Sequence, residues 1–481
     1  MEVTGQFSVD GHHVTVHFTR EHLSWRQSTV KKEVLVAADN ILSCATRIDV
    51  TGFEVIYAAK SNNCKLRETS VVFTGPPEQV RRFAEIIQRY LTESKRPRRL
   101  LILINPKSGK QKGCRDYVNK VLPILERCGV QADAIVTTKK GHPTEILSEY
   151  DMESIDGIVA MGGDGFYCEC LNALLVRTQT DFGVDINDST AELVSPAIPI
   201  GILPAGTGDY VMQYLHGTRC LVTAVLRILM GKSVKTNSAS VHEENRCLAH
   251  SSLVLGFGLF GDMMHNCEKY RWMGSNRYNI VPIASVLRRR TVDVEVEYLP
   301  AKTSKSELCT KAQTFRRQIS LPAGGSKVSA MPRMRRQSSV PDILSNNQNE
   351  WQKTTGRVYA VDTHPIVMAA KDGRMRPCFG ADTLTMTITD KCNISKHLQQ
   401  LSLVNDEKPD CYNFEFVRQM KVEAFRVRLS NTPVQTTESG RKELEKNFFI
   451  NCDGEAIRLA TPQFEVRFHR NIVSLFGSPP T

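Results

Sequence analysis

Hydrophobic positions along the 481-residue chain follow three successive rhythms. Up to about residue 96 they alternate with polar ones in short runs, at 14–18, 33–36, 53–57 and 70–73, and then recur at helical spacing through Val80, Phe83, Ile86, Ile87, Tyr90 and Leu91. Period-two runs followed by a 3.6-period stripe predict a small β-rich module closed by one helix. From about residue 97 the runs become solid (100–104, 134–136, 158–160, 198–203), and each interval has room for a helix, as over 117–125. That is the rhythm of a parallel α/β layer, whose ligands sit at the carboxyl ends of its strands. Beyond about residue 236 alternation returns at 252–255, 292–298, 384–388, 422–428 and 464–468, predicting an antiparallel β-sandwich. The expected organisation is α+β and multidomain: 1–96, 97–235 and 236–476, with a polar insert at 302–350 poor in aromatics and expected to be disordered.

Composition narrows the class. The chain is 41% hydrophobic and 23% charged, as in soluble globular proteins, and no apolar run is long enough to span a bilayer. The start, Met1-Glu2-Val3, has neither the order of a signal peptide nor a myristoylation glycine. Fourteen cysteines without disulfide or zinc spacing read as reduced cytosolic thiols, and Cys168 and Cys170 as packing groups. Of the net charge of +11, the stretch from Lys302 to Arg336 supplies nine Lys/Arg against Glu307, so the remainder is near neutral. With no DNA- or RNA-binding motif, nucleic acid is not an expected partner.

Chemistry gathers after the four α/β strands. Asn105-Pro-Lys-Ser-Gly109 follows the first, where Ser108 and Gly109 offer a hydroxyl and amides to phosphate oxygens, or form an ordinary turn. Thr137 follows the second, as a phosphate-facing hydroxyl or a plain helix cap. Gly162-Gly163-Asp164-Gly165 follows the third, with Glu169 beyond it, and Gly206-Thr207-Gly208-Asp209 the fourth. Glycines where a strand turns into a helix admit a phosphate to the positive helix end. A carboxylate beside such a cradle is costly unless a metal or a transferable proton accompanies it, which points to phosphoryl transfer.

In this order, Asn-Pro-x-Ser-Gly, Gly-Gly-Asp-Gly-x-x-x-Glu and Pro-x-Gly-Thr resemble the diacylglycerol-kinase-like catalytic family, which includes sphingosine, ceramide and bacterial diacylglycerol kinases. Glu268-Lys-Tyr-Arg271, the trailing Arg277 and Asn451-Cys-Asp-Gly-Glu455 extend the resemblance over about 99–476. With a first module similar to a pleckstrin-homology domain, it leans toward the ceramide-kinase branch. The usual Asn-Asp after the fourth strand is replaced by Gly208-Asp209, an Asp-Gly is lost near Gly380, and the branch's cysteine-rich cluster is absent.

The resemblance implies an ATP- and Mg²⁺-dependent kinase that phosphorylates the primary hydroxyl of ceramide or a related lipid. It makes Asp164 the general base. Glu169 either orients Asp164 or the metal, or is a surface helix residue. Nucleotide binding is implied for Asn105, Ser108, Gly109, Thr137, Gly162, Gly163, Gly165, Gly206, Thr207, Arg271, Arg277, Asp453 and Glu455, with Asp453 also a metal ligand. Asp262 either meets the lipid headgroup or serves a turn. Arg20, Arg26, Lys31 and Lys32 would face a phosphoinositide or line a solvated edge. Ser320 and Ser339, each with Arg at minus three and Pro at plus two, fit phosphorylation and capture by a 14-3-3 dimer, against a plain charged loop. The expected location is cytoplasmic, peripheral to Golgi or plasma membrane. Open alternatives are a sphingosine or diacylglycerol kinase, a silent lipid- or protein-binding scaffold, and an NAD-type kinase.

Overall fold

The structure is a computed structural model that describes residues 2–27, 33–49, 51–61, 64–206, 209–270, 273, 277–287, 290–301, 350–371, 373–430 and 448–478. Thr207, Arg271, Lys31, Lys32, Ser320, Ser339 and 302–349 of the insert lie outside the described residues, as does the side chain of Arg277.

Seven strands between Glu2 and Thr74 form an antiparallel sheet, followed by the helix Pro77–Glu93. Proline at the first helical turn suits its fixed φ and missing N–H. The helix buries Val80, Phe83, Ala84 and Ile87, and the Phe83 ring meets Phe7 edge-on at 5.1 Å. Three strands, Glu2–Val9, His22–Gln27 and Ile41–Thr46, were not expected from alternation. The last shows why: Ile41 enters the core of this sheet while Leu42 packs into the neighbouring α/β core, so both faces are apolar and the alternation disappears.

The α/β layer has four parallel strands in the spatial order Gln131–Val136, Arg99–Ile104, Gly157–Gly162, Ile200–Pro204. Their carboxyl ends therefore open on one rim. The helix expected over 117–125 instead starts as a π-turn, Tyr117–Val121, and becomes α-helical at Leu122–Arg127. Pro123 has no N–H to give the preceding turn, and its ring crowds the carbonyl of Asn119, which widens the coil.

The strand Gln463–Phe476 pairs antiparallel with Ser233–Glu243 and Val417–Leu429, then reaches Ile200 in parallel through Leu475. The α/β layer and the antiparallel region consequently share one 14-stranded sheet. Ile472, Val473, Leu475 and Phe476 complete the α/β core. In the antiparallel region a second core gathers Val241, Phe257, Val294, Val358, Phe425 and Val466. The strand expected at 252–255 instead occupies Leu255–Gly258, because residues 251–254 are drawn into a loop by a distant carboxylate. Three helices, Leu259–Lys269, Arg277–Leu287 and Ile394–Asn405, add a layer that the strand-rich pattern did not announce. Among the described residues no helix is long and apolar enough to cross a membrane.

Burial holds four histidines below their usual value, His216 and His469 to about 3, His250 and His364 to about 4. An unfolded chain takes up these protons near pH 6.5 and the folded one does not. Stability should therefore fall as pH drops from 6.5 toward 4. Asp209, raised to about 6, opposes this, as do Asp164, Glu169 and Asp362, also raised by burial. His242 joins the lowered histidines, and Asp39, Asp49, Asp188 and Glu465 are held low by their partners, so the loss on acidification has more groups behind it. Thermal melts across that range check the sign; a melting temperature that rises on acidification contradicts it.

Candidate active site

The rim at the strand ends is built by backbone contact between loops. Asn105 donates its amide to Met161 at 3.0 Å, and Ala205 donates to Gly162 at 2.9 Å, extending the ladder past the strands. The Asn105 side chain accepts the Lys107 amide at 3.0 Å, so it shapes its own loop. Gly109, at φ +51°, lies so close to the loop after the fourth strand that a Cβ there would stand 2.4 Å from the Ala205 carbonyl oxygen. A Cβ on Gly206 would stand 2.3 Å from Gly163 Cα. The turns carrying Ser108, Gly163 and Gly206 thus converge because glycines let their backbones touch. Gly206→Ala should force them apart, and a misplacement of about 1 Å is worth on the order of 10²-fold in rate. Activity measured beside a thermal melt checks this; a variant with native rate rules out the role of the contact.

Asp164 opens the helix Asp164–Asp181 at this junction. Its carboxylate accepts the amides of Tyr210 at 2.8 Å and Val211 at 3.0 Å, at the start of the helix Tyr210–His216. Burial lifts Asp164 above the usual carboxylate range, and the two amides and Arg219 oppose that lift. A Cβ at Gly165 would meet nothing within 4 Å, so the helix start faces open space where its unpaired amides could receive phosphate oxygens. Gly162 instead packs under Phe166. Asp209, in the left-handed region at φ +51°, accepts the Gly206 amide at 3.2 Å. Burial and the charge of Asp164 raise it to about 6. The sequence marks Asp209 as the acid of the fourth glycine turn and as a departure from the family pattern; in the fold it is the second carboxylate of the junction.

Several expected roles are corrected. Thr137 is buried and donates its hydroxyl to the Ile104 carbonyl at 3.2 Å, so it neither caps a helix nor offers that proton to a phosphate. Gly141, at φ +82°, holds the cap position of the helix His142–Glu149. Glu169 is a tie rather than a partner of Asp164: its carboxylate accepts the Gly141 amide at 2.5 Å. Glu455 pairs with Lys140 at 2.9 Å, joining the C-terminal region to that same loop. Burial works against the Lys140 charge, yet the Glu455 carboxylate raises its pKa overall.

Asp453, expected as a metal ligand, is engaged by the protein at both oxygens. Its Oδ1 accepts the Ser251 hydroxyl (2.6 Å) and the amides of Leu253 (2.9 Å) and Val254 (2.8 Å), while Oδ2 accepts the Ser252 amide (2.8 Å). Three donors meet Oδ1 and one meets Oδ2, so Oδ1 has no lone pair to spare. Asp453 is a buried latch on 251–254, with Cys168 and Asp164 close enough to feel its charge. Asp262 is likewise occupied, gripped at both oxygens by Arg290 at 2.7 and 2.8 Å. Neither Arg290 nor Arg219 carried a sequence signal, because both act across tens of residues. Among the described residues no three His, Cys, Asp or Glu side chains form a metal cluster.

Comparison with known proteins agrees with this layout. Residues 99–241 match the diacylglycerol kinase catalytic domain, and 252–479 match the ceramide kinase C-terminal domain. Mouse ceramide kinase is 30% identical over 85% of this chain and 80% of its own length. Human ceramide kinase is 28% identical over 88% and 82%, and human ceramide kinase-like protein 26% over 89% and 77%. A solved Bacillus anthracis structure assigned to the diacylglycerol kinases shares the fold, with TM-score 0.51 at 14% identity over 80% of this chain and 96% of that one. The chain belongs to the ceramide kinase-like lipid kinases, built on the diacylglycerol kinase catalytic domain.

Proposed function

We propose that the protein transfers the γ-phosphoryl group of ATP to the primary hydroxyl of ceramide at a membrane surface. The observation that carries the reading is Asp164, raised in pKa and fixed by two amides at the point where three glycine turns touch. A carboxylate so placed takes the hydroxyl proton as the lipid oxygen attacks the γ-phosphorus and ADP departs. Positioning and charge neutralisation carry most of such a transfer. A Mg²⁺ ion arriving with the nucleotide would be held by phosphate oxygens and the Asp209 carboxylate beside Asp164, and would supply charge neutralisation. Amides at the start of the Asp164 helix and in the Ser108 turn hold the phosphates. The Lys140–Glu455 pair and the Asp453 latch brace the loops around them.

Ceramide is favoured over sphingosine because Asp262, the acid available to an ammonium headgroup, is already neutralised by Arg290. Exposed Ile280 and Leu287, seven apart on one helix face, supply apolar contact with a lipid surface. The N-terminal sheet and helix would act as a pleckstrin-homology-like membrane module. Within it Arg20 is already paired with Glu93 at 2.9 Å, leaving Arg26 as the described candidate for a phosphoinositide headgroup. Incubation with labelled ATP and separate vesicles of ceramide, sphingosine or diacylglycerol tests the reading. Product from ceramide vesicles is expected. Product from diacylglycerol vesicles alone, or ATP binding without product from any lipid, rejects it.

A further inference from the structure

Asp362 lies in the middle of the antiparallel region, where its strand, Gln352–Thr363, pairs with Gly256 on one side and Thr387 on the other. It is 7% exposed, and its Oδ1 has no hydrogen-bond partner in the protein. A Cβ on Gly256 would stand 2.9 Å from that oxygen and 2.8 Å from Phe260 Cβ. The unmatched carboxyl is thus pressed between the sheet and the helix Leu259–Lys269, two residues ahead of Asp262. Beside it, Leu259, Val286 and Ala360 are the buried members of a small apolar cluster, backed by Phe260 and Leu401, and Tyr412 lies close enough to feel the Asp362 charge. The same helical layer carries exposed Ile280, Leu287 and Leu398 on its outer side. A carboxyl left unmatched in an apolar setting costs stability, and an apolar side chain of similar volume would be better there.

We propose that Asp362 is a polar subsite for the lipid acceptor, where Oδ1 receives the amide N–H or secondary hydroxyl of a sphingolipid once acyl chains part the helical layer. This rests on the reading of the protein as a ceramide phosphotransferase. Diacylglycerol, apart from its reacting hydroxyl, offers only ester oxygens, which accept hydrogen bonds and cannot donate one. A ceramide offers two further donors. Burial also holds the Asp362 carboxyl well above its usual range, which favours a neutral partner over the ammonium of a sphingoid base.

The test separates binding from turnover. In the Asp164→Asn protein, equilibrium binding of a fluorescent short-chain ceramide and of its N-methyl, 3-deoxy analogue is measured with and without Asp362→Leu, alongside ATP binding and thermal melts. Asp362→Leu should weaken ceramide binding about tenfold, leave binding of ATP and of the analogue lacking those two donors unchanged, and raise the melting temperature. Equal ceramide affinity with and without the substitution, equal affinity of the Asp362 protein for ceramide and the analogue, or no ceramide binding at all overturns the subsite. Ceramide binding that weakens in Asp362→Leu, with no phosphorylation of ceramide by the native chain, supports the subsite and rejects ceramide as phosphoryl acceptor.

Discussion

Asp164→Asn is expected to lower kcat by about 10²–10⁴-fold, the range for a positioned general base, with little change in ATP affinity. Asparagine keeps one oxygen for the Tyr210 or Val211 amide and turns an NH₂ toward the other, so a small drop in melting temperature should accompany the loss. The sign of the pH profile follows from the same groups. The base works deprotonated, Asp164 is raised by burial, and Asp209 titrates near 6. The native kcat/KM should therefore decline as pH falls below about 6. A substituted enzyme within tenfold of native would exclude Asp164 as the proton acceptor, and full activity at pH 5 would show that Asp209 need not be charged for turnover.

The second large effect is on stability. Asp453→Ala strands the Ser251 hydroxyl and the amides of Ser252, Leu253 and Val254, with Ser251 and Ser252 fully buried. Removing one partner from such a buried charged network costs about 3–5 kcal/mol, a large part of the stability of an ordinary domain. Thermal melts should show a fall on the order of 10 °C, and hydrogen exchange should rise first at residues 251–254. A native melting temperature combined with altered Mg²⁺ dependence would restore Asp453 as a metal ligand and remove the latch.

What could be read from residue order was whatever the backbone needs locally. Solid apolar runs at 100–104 and 158–160 mark strands covered on both faces, and glycine turns after them mark where chains must touch. Asp164 and the convergence of Ser108, Gly163 and Gly206 follow from those two signals, because a parallel sheet puts every strand end on one rim. The tertiary structure decided the partners of the remaining acids. Asp453 meets residues about 200 positions away, Glu169 meets Gly141, and Asp262 meets Arg290. An isolated carboxylate in a sequence carries no information about which donors a distant strand will bring to it. Sheet pairing also placed the last strand, Gln463–Phe476, in both cores and left Asp362 Oδ1 without a hydrogen-bond partner. Those outcomes depend on register and layer packing, which alternation along one segment does not encode.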